Sequence, residues 1–149
     1  MINFYQHFKI KTTSILKRSE VLGQLTHSYK TIAVAGTHGK TSVSTLIAHI
    51  FNSSDLGCSA FLGGISTNFK SNFLYNPNSQ FCVVEADEFD RSFLRLNPFI
   101  SVITSCDVDH LDIYEDAADL RATFSSFAAK TNPKGVLFVK KGLPLYLPA

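Results

Sequence analysis

A glycine-rich loop between an apolar run and an amphipathic stretch constrains the fold of this chain more than any other feature. Residues 31–35 are apolar and rich in β-branched side chains, as expected of a buried parallel strand. They lead into a loop over residues 36–41, and apolar residues then recur at helical spacing as far as Asn52. A strand, a glycine turn and a helix in this order are typical of α/β domains.

Further segments repeat this alternation along the chain. Apolar runs predict strands at 58–62, 81–84, 99–104 and 136–139, and residues 65–80, which lack a clear period, predict a loop. Ser19 is a candidate cap for a short helix over 20–25, and Asp116 for a longer helix that ends before 132–135. The predicted fold is therefore α/β, a parallel sheet with flanking helices.

The glycine loop has the composition of a phosphate-binding site. A full Walker motif has a first glycine separated by four residues from the Gly-Lys-Thr, and neither Ala35 nor Val34 is a glycine here, so only a shorter loop is present. Small residues still let backbone amides approach phosphate oxygens at a helix amino terminus. The candidate nucleotide-binding residues are Gly36, Thr37, His38, Gly39, Lys40, Thr41 and Ser42. The alternative is a glycine turn that carries a lysine by chance.

Acidic residues follow two of the predicted strands. Glu85 ends one strand and is a candidate Mg²⁺ ligand beside the loop, although acids at strand ends are also common on surfaces. After the next strand, His110 stands among Asp107, Asp109 and Asp112, where it could bind metal, orient phosphate or be structural. Since ligands bind beyond the carboxyl ends of parallel strands, we expect these loops to converge.

The overall composition excludes several functional classes. A formal charge of +2 gives no support for a nucleic-acid-binding protein. Cys58, Cys82 and Cys106 are too few and too widely spaced for a disulfide framework, which fits a reducing, cytoplasmic environment. Neither a signal peptide nor a membrane-spanning run is apparent, so no membrane partner is expected.

Taken in order, four motifs resemble the central ATPase domain of the Mur ligases over roughly residues 15–145, which implies a P-loop NTPase-like fold. They are residues 35–41, 85–88 (Glu-Ala-Asp-Glu), 92–94 (Ser-Phe-Leu) and 109–112 (Asp-His-Leu-Asp). The histidine in the loop and the Ser-Phe-Leu most resemble the members that add L-alanine. Residues 122–126 contain no lysine, whereas several other members carry a carbamylated lysine there, and this difference favours the same subgroup.

The resemblance implies an ATP-dependent ligase of peptidoglycan precursor synthesis. In that reaction the carboxylate of UDP-N-acetylmuramate attacks the γ-phosphate of ATP, and the amine of L-alanine displaces phosphate from the resulting acyl phosphate. The implied catalytic residues are Lys40 on the phosphates, Glu85 with Thr41 on one Mg²⁺, and His110 on a second. The same resemblance implies that Gly63, Gly64 and Asn68 approach the UDP-sugar.

The resemblance also implies an incomplete enzyme. Residues 1–30 are expected to be a linker or the tail of an N-terminal UDP-binding domain, and 31–149 part of a truncated central ATP-binding domain. A second chain could then supply the missing domains. Two alternatives stay open: a muropeptide-recycling ligase of the same family, and a non-catalytic nucleotide-binding fragment.

Overall fold

A computed structural model describes residues 15–107 and 113–147 of the chain. Its elements, in chain order, are helix α1 (Arg18–Thr26), β1 (Lys30–Ala35), α2 (Lys40–Asn52), β2 (Ser59–Ser66), β3 (Ser71–Leu74), β4 (Phe81–Glu85), a 3₁₀ segment (Phe89–Arg95), β5 (Ile100–Ile103), α3 (Ala117–Ala129) and β6 (Val136–Val139). Within these described ranges, no helix is long and apolar enough to cross a membrane.

The strands form one sheet in the order β3-β2-β4-β1-β5-β6. All neighbouring strands are parallel except β3, which is antiparallel to β2. The predicted α/β fold with a parallel sheet and flanking helices is confirmed. In such a sheet the carboxyl ends of the parallel strands lie at one edge, which is where ligand-binding loops collect.

Two features of the β2 region differ from the prediction. The strand continues through Gly63 and Gly64 to Ser66 instead of ending at the glycines, and part of the predicted 65–80 loop forms β3. β3 is a four-residue edge strand with no fully buried residue, so it lacks the apolar run that identifies an inner strand. Its pairing depends on contacts with β2, including the Phe61 and Phe73 rings 5.0 Å apart.

Side chains of the central strands alternate between two cores, one on each face of the sheet. Ile32 of β1 and Val83 of β4 pack on the α2 face with Ala48, whereas Ala33 and Val84 pack on the opposite face. That second face is covered by the 3₁₀ segment with Phe93, by α3 with Phe124 and Phe127, and by Tyr114 in the loop before α3. The sheet is therefore the middle of three layers.

The helix ends follow local polar contacts. The predicted cap of α3 is confirmed, because Asp116 Oδ1 accepts a 2.8 Å hydrogen bond from the Asp119 amide. Ser19 is not the cap of α1, since the helix already begins at Arg18. There the Lys17 amide donates to a Glu20 carboxylate oxygen at 2.7 Å. The carboxylate of the third helical residue thus accepts a hydrogen bond from the backbone amide that precedes the helix.

Candidate functional site

The strand order places the glycine loop between two other strand ends. β1 pairs in parallel with β4 on one side and β5 on the other, with Val34 opposite Glu85 and Ala35 opposite Ile103. Residues 36–39 are therefore flanked by residues that follow β4 and by residues that follow β5. The expected convergence of the three loops is confirmed for the described residues, while Asp109, His110 and Asp112 lie outside them.

Two glycines give the loop its shape. Gly36 has φ of 142° and Gly39 has φ of 83°, both in the region that side chains disfavour. A Cβ on Gly36 would also overlap the Thr104 side chain and lie 2.9 Å from the Ser105 amide nitrogen. Gly39 is the N-cap of α2, whose first-turn amides have no acceptor within the helix. The loop thus leads into first-turn amides that lack a helical acceptor and into the positive end of a helix dipole.

Hydroxyl groups after β5 hold the loop in place. Ser105 Oγ accepts a hydrogen bond from the His38 amide at 2.8 Å and lies 2.9 Å from Thr37 Oγ1. Thr104 Oγ1 donates to the His38 carbonyl at 2.6 Å. Sequence reasoning missed both residues, because a serine or threonine at a strand end carries no distinctive pattern. Their role is to fix a backbone that has few internal contacts.

Lys40 is held at the base of the loop. Its Nζ donates to the Gly36 carbonyl at 2.7 Å and to both carboxylate oxygens of Glu88 at 2.8 and 2.9 Å. The Glu88 side chain is fully buried, and that of Lys40 is 15% exposed. Sequence reasoning noted Glu88 within the acidic cluster but did not assign it to the lysine. The acids of this cluster therefore have different partners: Glu88 pairs with Lys40, and Glu85 does not contact the lysine.

Glu85 joins the loop to the glycines of β2. Its Oε1 accepts a hydrogen bond from Thr41 Oγ1 at 3.1 Å, and its Oε2 accepts one from the Gly63 amide at 2.8 Å. A Cβ on Gly63 would overlap the Glu85 carboxylate, and one on Gly64 would lie 3.6 Å from Thr41 Cγ2. Hydroxyl and carboxylate oxygens brought together in this way are the ligand types that Mg²⁺ prefers.

Of the remaining predicted residues, Asn68 lies apart from this arrangement, Asp107 contacts the glycine loop, and Asp109, His110 and Asp112 lie outside the described chain. Asn68 Nδ2 is 3.4 Å from His49 Nδ1. His49 lies in the last turn of α2, whereas the glycine loop precedes the first turn. The Asp107 amide donates to Thr37 Oγ1 at 3.1 Å, and its carboxylate is 3.8 Å from His38 Nε2. Between residues 15 and 107 and between 113 and 147, no group of three or more His, Cys, Asp or Glu residues could hold a metal ion.

A cleft of about 290 Å³ runs along the loop and is lined by Thr37, Gly39, Lys40, Thr41, Ser42 and Glu85. A second cleft of about 420 Å³ shares Glu85 with the first and is lined by Arg18, Leu62, Gly63, Asn72, Glu85 and Asp87. A larger groove, of about 610 Å³, lies at the opposite, amino ends of the strands around Lys30 and Phe99. That groove is remote from the glycine loop. The two smaller clefts, which are both lined by Glu85 and one of which also contains Lys40 and the loop, are therefore the candidate ligand sites.

Comparison with known proteins agrees with this geometry. The family model described as Mur ligase middle domain matches residues 34–145. The UDP-N-acetylmuramate–L-alanine ligase of Phocaeicola vulgatus is 50% identical over 141 residues, which is 95% of this chain and 31% of that protein. The protein of the same name from Porphyromonas gingivalis is 48% identical over 139 residues, or 93% of this chain and 30% of that protein. The chain thus spans about a third of these relatives' length.

Solved structures show the same fold. The UDP-N-acetylmuramate:L-alanyl-gamma-D-glutamyl-meso-diaminopimelate ligase from Neisseria meningitides has a TM-score of 0.81 at 23% identity, over 94% of this chain and 48% of that one. A murein peptide ligase from Psychrobacter arcticus has a TM-score of 0.71 at 19% identity, over 95% and 34%. The glycine loop, the acids that follow the parallel strands and the family match together assign this chain to the Mur ligase family, as part of its middle domain.

Proposed function

We propose that this chain is the nucleotide-binding part of an ATP-dependent ligase that joins L-alanine to UDP-N-acetylmuramate. The observation that carries the proposal is the cleft in which Lys40, Thr41 and Glu85 face the amides of one glycine loop. The reaction and substrates are proposed from the UDP-N-acetylmuramate–L-alanine ligases to which this chain is 43–50% identical.

The loop would bind the triphosphate of ATP. First-turn amides of α2 and the Lys40 ammonium supply hydrogen bonds and positive charge to the phosphate oxygens. Phosphoryl transfer depends mainly on alignment and charge neutralisation, so a rigid loop with a fixed lysine suits it. The ties from Thr104 and Ser105 would keep the amides aligned.

Thr41 and Glu85 would hold Mg²⁺, because their oxygens already converge at the cleft. The bound ion would neutralise phosphate charge and so reduce repulsion of an incoming carboxylate. We also propose His110 as a ligand of a second ion, on the resemblance of residues 109–112 to the family motif.

The reaction would proceed in two steps, phosphoryl transfer and then amide formation. A carboxylate oxygen of UDP-N-acetylmuramate attacks the γ-phosphorus of ATP, ADP leaves, and an acyl phosphate forms. The amine of L-alanine then attacks the acyl carbon, loses a proton, and inorganic phosphate leaves as the amide forms. The second cleft adjoins Glu85, and we propose that it receives the carboxylate substrate, with Gly63 and Gly64 at its edge and Arg18 supplying positive charge. The role of Asn68 in this binding stays a prediction from the family resemblance.

Several features of the whole protein belong to the same proposal. Residues 1–30 would be the tail of a UDP-binding domain and 31–149 part of the ATP-binding domain, in a cytoplasmic enzyme. Because the chain spans about a third of its relatives, catalysis would require further domains from the same or a second chain. The relatives' names favour L-alanine over the peptide substrate of a recycling ligase.

Calorimetric titration of the purified chain with Mg-ATP tests nucleotide binding. The loss-of-function variant is Lys40→Ala combined with Glu88→Gln, which removes the ammonium without leaving a buried carboxylate unpaired. Lys130→Ala, an exposed lysine outside the cleft, is the matched control. Binding by the wild type and the control but not by the double variant is expected. If the folded wild-type chain does not bind, the chain by itself is not a nucleotide-binding unit.

A chimera tests the reaction. Residues 15–147 would replace the matching segment of the Phocaeicola vulgatus relative, to which the chain is 50% identical. We expect phosphate release that depends on UDP-N-acetylmuramate and L-alanine, and that is lost with Lys40→Ala and Glu88→Gln together. Release that responds to L-alanyl-γ-D-glutamyl-meso-diaminopimelate instead of L-alanine would favour the recycling reaction, and a folded chimera inactive with both would favour a non-catalytic fragment.

A further inference from the structure

Glu88 is a buried carboxylate at the candidate site with no part in the proposed chemistry. Both of its oxygens lie within 2.9 Å of Lys40 Nζ, across 48 residues of sequence. We propose that Glu88 is a positioning residue: it holds the Lys40 ammonium at the base of the glycine loop, and the affinity of the loop for nucleoside triphosphate depends on its negative charge. This inference rests on the proposed nucleotide site and assigns to it a residue that does not touch the nucleotide.

Burial is the first reason. The Glu88 side chain is 0% exposed, whereas Asp87 and Asp90 on either side of it in the chain are exposed. A buried carboxylate is costly unless it is paired and hydrogen-bonded, so the fold places it here against a specific cation. The Lys40 ammonium meets it with two hydrogen bonds of 2.8 and 2.9 Å.

The geometry of the ammonium is the second reason. A lysine has three donors, and in this structure they meet the Gly36 carbonyl and the two Glu88 oxygens. One carboxylate oxygen is enough to keep the ion pair, so a phosphate oxygen can replace the other. The lysine thus exchanges a single hydrogen bond when nucleotide binds, and its flexible four-carbon stem does not have to be ordered at that moment.

The backbone at Glu88 is fixed independently of Lys40. The buried Tyr114 hydroxyl donates to the Glu88 carbonyl at 2.6 Å. The Arg91 guanidinium lies 5.4 Å from the Tyr114 ring centroid and donates to Asp119 at 2.6 Å. Asp90 and Arg91 have φ of 53° and 52°, an unfavourable conformation that these surrounding contacts maintain.

Two substitutions separate the charge of Glu88 from its volume. Glu88→Gln keeps the shape but removes the charge and places an amide donor near the ammonium, and we expect Mg-ATP affinity to fall about tenfold or more. Glu88→Asp keeps the charge on a shorter side chain and should recover part of that loss. Glu20→Gln, which removes the charge from the Glu20–Arg95 pair outside both clefts, should bind as the wild type does.

A second measurement reports on Lys40 directly. In a chain labelled with ¹⁵N-lysine, the Lys40 ammonium should give a slowly exchanging signal without nucleotide, identified by its absence in Lys40→Arg. The signal should be lost in Glu88→Gln, persist with a shift in Glu88→Asp, and shift again with Mg-ATP. A residue that only supported the fold would change stability without changing this signal in a folded chain.

The outcomes distinguish this inference from the function on which it rests. No Mg-ATP binding by the wild type would overturn the proposed nucleotide site, and the inference with it. Wild-type binding with unchanged or tighter binding by Glu88→Gln, or equal losses in both Glu88 variants, would overturn the inference alone. If Glu88→Gln does not fold, the wild type and Glu88→Asp decide: a wild-type Lys40 signal that exchanges as fast as those of exposed lysines overturns the inference, and a slow signal that shifts in Glu88→Asp supports it.

Discussion

At the scale of single residues, the candidate site depends on close approach between chain segments that are distant in sequence. Gly36 lies against the Thr104 side chain and the Ser105 backbone, and Gly63 against the Glu85 carboxylate. A side chain at either glycine would occupy space that the neighbouring strand end already fills. These two glycines are therefore required for packing, and Gly36 is also required for its backbone conformation.

Gly36→Ala tests this requirement. We expect it to destabilise the chain by about 2 kcal/mol or more and to abolish Mg-ATP binding, because the new methyl group meets Thr104 and Ser105 as well as an unfavourable φ. Gly142→Ala is the matched control, since Gly142 also has positive φ, 89°, but no atom within 4 Å of an added Cβ. Urea unfolding of both variants gives the comparison. Equal losses of stability would show that steric contact at Gly36 is unimportant.

Tyr114→Phe tests the hydrogen bond from the Tyr114 hydroxyl to the Glu88 carbonyl. The ring is 2% exposed and its hydroxyl donates to the Glu88 carbonyl. Removing it leaves the Glu88 carbonyl with the Arg91 amide as its donor, at 3.0 Å, and we expect the loss of one buried hydrogen bond to cost about 1 kcal/mol of unfolding free energy and to weaken Mg-ATP binding. Tyr75→Phe, at a position 67% exposed, should leave both quantities unchanged. Unaltered stability in Tyr114→Phe would contradict the assigned hydrogen bond.

At the scale of elements, the loop after β5 supports the glycine loop after β1. Thr104 and Ser105 make four hydrogen bonds to residues 37 and 38, and Asp107 adds one through its amide. The glycine loop itself has two glycines in four residues and so resists disorder only weakly. Its shape is therefore imposed by the neighbouring element.

Ser105→Ala tests this support. The substitution removes the acceptor for the His38 amide and the contact with Thr37, and we expect Mg-ATP affinity to fall about three- to tenfold with a loss of about 1 kcal/mol in stability. Ser126→Ala removes a hydroxyl that bonds only to the Ala122 carbonyl of its own helix, and it should have no effect on binding. Calorimetry on both variants measures the difference, and equal affinities would argue that the glycine loop holds its own shape.

Element types proved easier to predict from sequence than element ends and pairings. The inner strands and the α2 and α3 helices are confirmed because their apolar patterns are local and long. The predictions for the end of β2 and for β3 were wrong. Glycines do not end a strand where a neighbouring side chain fills the space beside them, as the Glu85 carboxylate does at Gly63. An exposed edge strand such as β3 has no apolar run to identify it. The apolar positions of α2 were also only a partial guide, since Leu46 and Ile50 are each 57% exposed while the small Ser44 and Ala48 are buried.

At the scale of the whole molecule, the two cores enclose all three cysteines. Burial raises the pKa of Cys82 to about 12 and that of Cys58 to about 11, and burial also raises the pKa of Cys106. Cys82 lies inside the apolar run of β4 and is 2% exposed. Since the thiolate is the nucleophile, these thiols should react slowly with thiol reagents while the chain is folded.

The raised thiol pKa values predict a pH dependence of stability. Above the ordinary thiol pKa of 9.0, the unfolded chain loses protons that folded Cys58 and Cys82 retain, so unfolding becomes more favourable as pH rises towards about 11 to 12. The urea midpoint should therefore be lower at about pH 10 than at about pH 8, and the drop should be smaller in Cys58→Ala with Cys82→Ala. Tyr114, whose pKa burial raises to about 12, acts in the same direction at higher pH. An identical drop in the double variant would assign the effect to other groups.

The sequence by itself determined the order of strand, loop and helix, the glycine loop with Lys40 and Thr41, and the acid at the end of β4. Each of these features follows from a short stretch of residues, because the spacing of apolar, glycine and polar residues along it reflects local backbone geometry. Only the tertiary structure decided that β1 lies between β4 and β5, so that Glu88, 48 residues away, reaches Lys40 and Ser105, 68 residues away, reaches Thr37. Strand order and buried charge pairing arise from how the whole core packs, and no local pattern encodes them.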